Sequence, residues 1–334
     1  MAFLFNMTPR ENPHFVGQEA AERSVLEALA GRRLHHAWLI TGPEGVGKAT
    51  LAFRFARRLF AGGAGSLEMD PAHPVFRRVA AASHADLLTV EREWDEKKKR
   101  MKKNISAESA REIPGFLHLT PAEGGWRVVI VDGAEDMNPQ SANALLKVLE
   151  EPPARAVLFL ISAAPGRLLP TIRSRCRHLA LPRLSDADLL RTLALYLPDV
   201  PQAERQRLAV LAEGSPGRAL ALAEQGGLQI AALVAEVLAG LPGFPVPRAY
   251  EMSDKLKEEA SFELFFSLLR GAIANALTAS LRGAADAAQA RLAALRPAAE
   301  WGALWSRLGD IQRETDQHNL DRRQAVVAGL SLLR

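Results

Sequence analysis

Apolar residues run almost unbroken through three short stretches of the first half of the chain: AWLIT (37–41), RVVIVD (127–132) and AVLFLIS (156–162). DLLTV (86–90) and a short segment at 178–181 add two more. Runs of this length, rich in Val, Ile and Leu, suit strands buried on both faces. Between them, Leu51, Phe55 and Leu59 recur at intervals of four, as on one face of a helix. Strands alternating with helices predict an α/β unit whose parallel sheet is covered by helices on both faces. The helix at 139–151 is the best marked. Asn138 is placed to cap it, Pro139 suits its first turn, and Pro152-Pro153 stops it. Its apolar face is Ala142, Leu145, Leu146 and Leu149. A further helix is expected to start near Ser106 and to end or break at Pro114-Gly115.

Past Pro182 the strand pattern ceases. SDADLLRTLALYL, QAERQRLAVLAEG and SPGRALALAEQ read as three successive helices, with Ser185 and Ser215 as caps. Pro242, Gly243, Pro245 and Pro247 read as a linker, and the alanine-rich remainder from Tyr250 is again helical. Three domains are expected: an α/β domain at residues 1–183, a three-helix domain at 184–242, and a C-terminal all-α domain at 243–334. A chain of 334 residues with 48% hydrophobic content has material for several cores. The single cysteine, Cys176, excludes an intrachain disulfide and an all-thiolate zinc site, and reads as a small packing residue. The chain does not open on a basic start and a long apolar region, and no stretch of about 18 uncharged apolar residues follows. A cytoplasmic protein with no membrane segment is therefore expected. A net charge of +4 leans toward an anionic partner without selecting one.

The chemistry starts at GPEGVGKAT (42–50). A strand, then G-x-x-x-x-G-K, then a helix is the setting of a phosphate-binding loop. Backbone N–H groups and the helix N-terminus face the phosphates there, and the lysine reaches the β and γ positions. Gly42, Gly45, Gly47 and Lys48 are the candidates; a glycine-rich turn that binds nothing is the competing reading. The motif fails at Ala49, where a hydroxyl would ligate Mg²⁺. Thr50 is the nearest hydroxyl, one residue on and roughly 100° around the helix. Asp132, ending its strand, suits the acid that helps hold Mg²⁺ in a P-loop ATPase. Where such enzymes place a glutamate base directly after that acid, this chain has Gly133; Glu135 comes two positions later and need not face the same place. ATP or ADP is then a ligand held without efficient hydrolysis, or not held at all.

After the loop and the acidic strand come NALLKVLEEPP (143–153), LFLIS and TIRSRC, in that order. The combination resembles the clamp-loader branch of the AAA+ ATPases, and within it the delta-prime family of the bacterial DNA polymerase III clamp loader. GSPGRAL (214–220) and NLDRRQ (319–324) are similar to the same family. The resemblance covers nearly the whole chain. It implies an AAA+ domain, a helical lid, and a C-terminal collar through which subunits assemble. It implies that Arg175, in Ser174-Arg175-Cys176, is an arginine finger reaching into a neighbouring subunit's ATP site. Such a finger stabilises charge that develops only in the transition state, and changes rates by about 10³–10⁵-fold. By residue type alone Arg175 is an ordinary surface arginine at a helix end. The resemblance also implies Ser162 as a sensor beside the γ-phosphate, while Arg218 comes one residue later than the second sensor's place. The zinc module of many relatives is excluded by the cysteine count; His73 and His84 in that region read as solvated or packed, and no metal is assigned. Implied partners are motor subunits of gamma/tau type and a delta-type subunit in a hetero-pentamer, the sliding clamp, and primed DNA.

EKKKRMKKN (96–104) carries Lys97, Lys98, Lys99, Arg100, Lys102 and Lys103, with Trp94 as the one aromatic neighbour. Such a run is a solvated loop or a sequence-independent contact to DNA phosphates. Three functions compete: a non-motor clamp-loader subunit, an active AAA+ ATPase (a motor subunit or helicase-like relative), and a small-molecule kinase. A kinase has no use for the SRC motif or a two-part helical tail. Ala49, Gly133 and the displaced Arg218 favour the first over the second. Nothing in the chain resembles a paired-carboxylate nucleotidyl-transfer site, so any polymerase activity of the larger assembly resides in other chains.

Overall fold

The computed structural model describes residues 7–31, 34–63, 65–95, 100–123 and 125–334, with Arg100 described by its backbone only. The chain forms two compact units, Met1–Leu220 and Ala221–Arg334.

In the first unit strands and helices alternate. They run α1 (Glu19–Ala30), β1 (Ala37–Thr41), α2 (Lys48–Phe60), α3 (Pro74–Ala80), β2 (Leu87–Val90), β3 (Trp94–Asp95) and β4 (Arg100–Met101). There follow α4 (Ala107–His118), β5 (Arg127–Asp132), α5 (Pro139–Glu150), β6 (Ala156–Ser162), α6 (Pro170–Arg173) and β7 (Arg177–Ala180). Then come α7 (Asp186–Tyr196), α8 (Gln202–Ala212) and α9 (Pro216–Glu224), which runs on past the end of the unit. Five strands make a parallel sheet in the order β2-β5-β6-β1-β7. Trp38 lies opposite Phe159 and Arg177, and Thr41 opposite Ser162 and Ala180.

Side chains alternate across the sheet, so each strand feeds two cores. On one face Leu39, Val129, Val131, Leu158 and Leu160 pack with Ile113, Leu117, Leu145, Val148 and Leu149 of α4 and α5. On the other, Trp38 meets Phe55 of α2 edge-on at 5.4 Å, and Phe55 meets Phe159 at 4.9 Å. The α/β expectation therefore holds. The Asn138 side chain accepts from the Ser141 N–H at 2.8 Å, and Ser106 and Ser185 cap α4 and α7 in the same way.

One local expectation fails. Pro114 does not end its helix: α4 continues through it to His118. An interior proline costs about 3 kcal/mol, whereas full burial of Ile113 and Leu117 stabilises the helix by about 1.5–3 kcal/mol each. Tertiary packing wins. The basic segment, read as a loop, is flanked by a two-residue antiparallel ribbon in which Trp94 pairs with Met101 and Asp95 with Arg100.

The second unit is helical: α10 (Gly227–Gly240), α11 (Val246–Lys255), α12 (Glu259–Leu281), α13 (Ala287–Ala294), α14 (Ala298–His318) and α15 (Arg322–Leu332). The stretch expected to be a linker is a short connection between α10 and α11, with Leu241 and Phe244 buried. By length and composition α12 is apolar enough to cross a membrane. Its Phe262, Phe265, Phe266, Leu269 and Ile273 are buried, and it packs against α10, α13, α14 and α15.

Candidate functional site

The carboxyl ends of β1, β5 and β6 bring the phosphate-loop candidates together. Thr41, Ser162 and Asp132 end adjacent strands, and the loop leaves β1 at Gly42. Two glycines are needed for close approach. A Cβ on Gly42, at φ +148°, would stand 2.3 Å from the Leu181 carbonyl oxygen; one on Gly45, at φ +72°, would stand 2.6 Å from the Ser215 hydroxyl oxygen. Gly47 takes the left-handed conformation that opens α2. Lys48 is buried, and its ammonium donates to the carbonyls of Gly42 and Pro43 at 2.8 and 2.7 Å. Burial pushes the Lys48 pKa down, against the nearby carboxylates of Asp132, Glu135 and Glu44. Thr50 is buried in α2, one residue beyond Ala49.

Asp132 has its pKa raised by burial and by the charges of Glu91 and Glu135, with Lys48 opposing. Glu135 is the acid the sequence pattern placed poorly. Gly133, at φ +76°, turns the chain left-handed into a short 3-10 turn, Ala134–Asp136. That turn folds Glu135 back over the end of β6. Its Oε1 accepts from the Ala163 and Ala164 N–H groups at 2.8 and 3.2 Å, and Ser162 also hydrogen-bonds to it. Its Oε2 is buried with no hydrogen-bond partner among the described residues. Burial would raise the Glu135 pKa, but the hydrogen bonds outweigh it and hold the carboxyl below its ordinary value. The glycine directly after the strand was the sequence signal for this reversal.

The start of α9 closes on the loop. The Ser215 hydroxyl donates to the Glu44 carbonyl at 2.7 Å, and the Gly217 N–H donates to the Gly45 carbonyl at 2.9 Å. A Cβ on Gly217 would stand 2.8 Å from Gly45 Cα. Backbone therefore meets the loop here, while the Arg218 guanidinium lies 3.9 Å from Glu213. The sequence hinted at this contact only through the serine and glycine of GSPG.

Arg175 stands elsewhere. It precedes β7, whose Arg177 pairs with Trp38 at the amino end of β1, whereas the phosphate loop leaves the carboxyl end. At about 3.3 Å per residue the strand alone separates the two by roughly 13 Å. The guanidinium donates through Nη1 to the Thr171 carbonyl at 2.9 Å and pairs through Nη2 with Glu150 at 2.9 Å. Cys176 beside it is buried, its thiol pushed up to about 12 by desolvation.

Lys97, Lys98 and Lys99 lie outside the described residues, as does the Arg100 side chain. Lys102 pairs with Glu93, Lys103 is exposed, and Trp94 is 50% exposed. His84 is buried and stacked on Phe60, and the His73 side chain caps α3. No group of three or more potential metal-ligating side chains occurs among the described residues.

The chain is 39% identical over 222 residues to DNA polymerase III subunit delta' of Pseudomonas aeruginosa, covering 64% of each chain. It is 30% identical over 226 residues to subunit tau/gamma of Haemophilus influenzae, covering 65% of this chain and 31% of that one. The matches thus span less than two thirds of the length of these relatives. A solved gamma subunit-related protein from Thermotoga maritima is 20% identical, with 95% of this chain and 98% of that one covered at a TM-score of 0.46. The profile of the family described as "DNA polymerase III, delta subunit" matches residues 17–185, just over half the chain and the part that carries the loop, both acids and Arg175, and the chain belongs to that family.

Proposed function

We propose that the chain is a non-motor subunit of a bacterial clamp loader, lending Arg175 to the ATP site of a neighbouring subunit while hydrolysing little or no ATP itself. One observation carries the reading. Arg175 and the chain's own phosphate loop lie at opposite ends of the sheet, so a phosphate served by Arg175 belongs to another subunit. The guanidinium would stabilise the negative charge that gathers on the transferring phosphoryl group.

The chain's own loop fits the complementary half of the reading. Ala49 offers Mg²⁺ no hydroxyl, and Gly133 stands where a base would follow the acid. Glu135 holds two backbone N–H groups of the loop after β6, which leaves it poorly placed to activate water. ATP or ADP seated on the glycines and Lys48 without efficient turnover remains compatible with this geometry. The likeness to subunit delta' at 39% identity, against 30% for subunit tau/gamma, supports the non-motor side. The partners proposed are gamma/tau-type motors and a delta-type subunit, joined through the C-terminal helices in a hetero-pentamer that places a sliding clamp on primed DNA in the cytoplasm.

Steady-state ATP turnover by the purified chain, beside that of the assembled loader, tests the proposal. The chain alone is expected to be inactive and the assembly active. Robust hydrolysis by the chain alone, abolished by Lys48→Ala, would establish an active AAA+ ATPase instead.

A further inference from the structure

We infer that Glu150 is a positioning residue for Arg175: it holds the guanidinium in a fixed plane at the surface before a neighbouring subunit docks. The inference rests on the finger reading above. Glu150 ends α5 within the LEEPP stretch, and α5 packs against α6, the short helix that leads to Arg175. The two tip nitrogens of the guanidinium are each engaged. Nη2 pairs with Glu150 Oε1 at 2.9 Å, and Nη1 donates to the Thr171 carbonyl at 2.9 Å.

Two acceptors on separate nitrogens fix both the position and the plane of a rigid fork, which a single contact would leave free to rotate. Five N–H donors are available on a guanidinium; the contacts to Glu150, Thr171 and, more weakly, Ser174 at 3.5 Å use three of them, so the others remain for an incoming phosphate. The site also lies at the carboxyl end of α5, where the helix dipole adds negative potential and favours a cation. Arg175 is 35% exposed and Glu150 51% exposed, so the fork is held and still accessible. An unrestrained arginine loses much rotamer freedom when it is fixed. Glu150 has removed part of that freedom before docking, and this favours the neighbour's transition state.

An exposed pair of this kind has a modest effect, so the expected change is small and specific. In the assembled loader, Glu150→Ala in this chain is expected to lower kcat at the site served by Arg175 by about two- to five-fold. The KM for ATP and co-elution of the subunits should be unchanged. Glu150→Gln keeps an acceptor oxygen and should retain most of the activity. In an Arg175→Ala background Glu150→Ala should have no further effect, whereas a merely structural Glu150 would lower the rate in either background. Turnover with Glu150→Ala equal to or above that of the unmodified loader, where Arg175→Ala is slow, would overturn the positioning role and leave the finger standing. If Arg175→Ala itself leaves turnover unchanged, the finger reading falls and this inference with it.

Discussion

Glu135 shows how one backbone position redirects a carboxylate. Gly133 sits in the left-handed region at φ +76°, and the following 3-10 turn sends the Glu135 side chain to the N–H groups of Ala163 and Ala164. These bonds favour the ionised form and hold its pKa below the ordinary value despite burial. The sign follows from linkage. A carboxyl depressed in the folded state adds stability that is present above its unfolded pKa of about 4.3 and is lost as pH falls through the folded value. Glu135→Gln should therefore lower Tm at pH 7. The gap to the unmodified chain should narrow as the pH is taken below about 4.3. A gap independent of pH would mean that the charge on Glu135 contributes nothing. At the same scale, Ala49 and Gly133 were fully legible in the sequence, since each is a missing functional group. The direction of Glu135 was only hinted at by that glycine, because it depends on a dihedral angle that spacing does not encode.

Among the elements, those set by local signals were the readable ones. β1, β5 and β6 appear where unbroken apolar runs placed them, and α5 starts at its Asn138 cap. What the sequence did not announce arises from packing between segments distant in sequence. α4 survives Pro114 because Ala110, Ile113 and Leu117 are buried. The N-terminal segment is held by Arg54, which donates to the Pro13 carbonyl and pairs with Glu22, and by Arg57, which donates to the Arg10 and Asn12 carbonyls. Nothing in those residues announced such partners. The contact of α9 with the phosphate loop is another instance. It joins residues 44–45 to residues 215–217 with no room for a side chain between them. Gly217→Ala should push the two backbones apart and cost about 1–3 kcal/mol. Faster amide hydrogen exchange across residues 42–48 would report it. Unchanged exchange would show that α9 does not restrain the loop.

For the whole molecule, two compact units divide the chain at Leu220 and Ala221. The first presents two separate pieces of chemistry on one sheet. At the carboxyl end are a phosphate loop with its lysine tied to loop carbonyls and the acids Asp132 and Glu135. At the amino end is Arg175, oriented by Glu150 and Thr171. A sheet so arranged keeps Arg175 away from its own loop, and the proposed contribution of Arg175 is accordingly an intermolecular one. The motif order already pointed to Arg175, while its distance from the loop emerged only with the strand register. The most direct measurement is ATP turnover by an assembled loader in which this chain alone carries Arg175→Ala. The account predicts intact assembly, with turnover at the adjoining site reduced by about 10³-fold or more. Full turnover by the same intact assembly would contradict it.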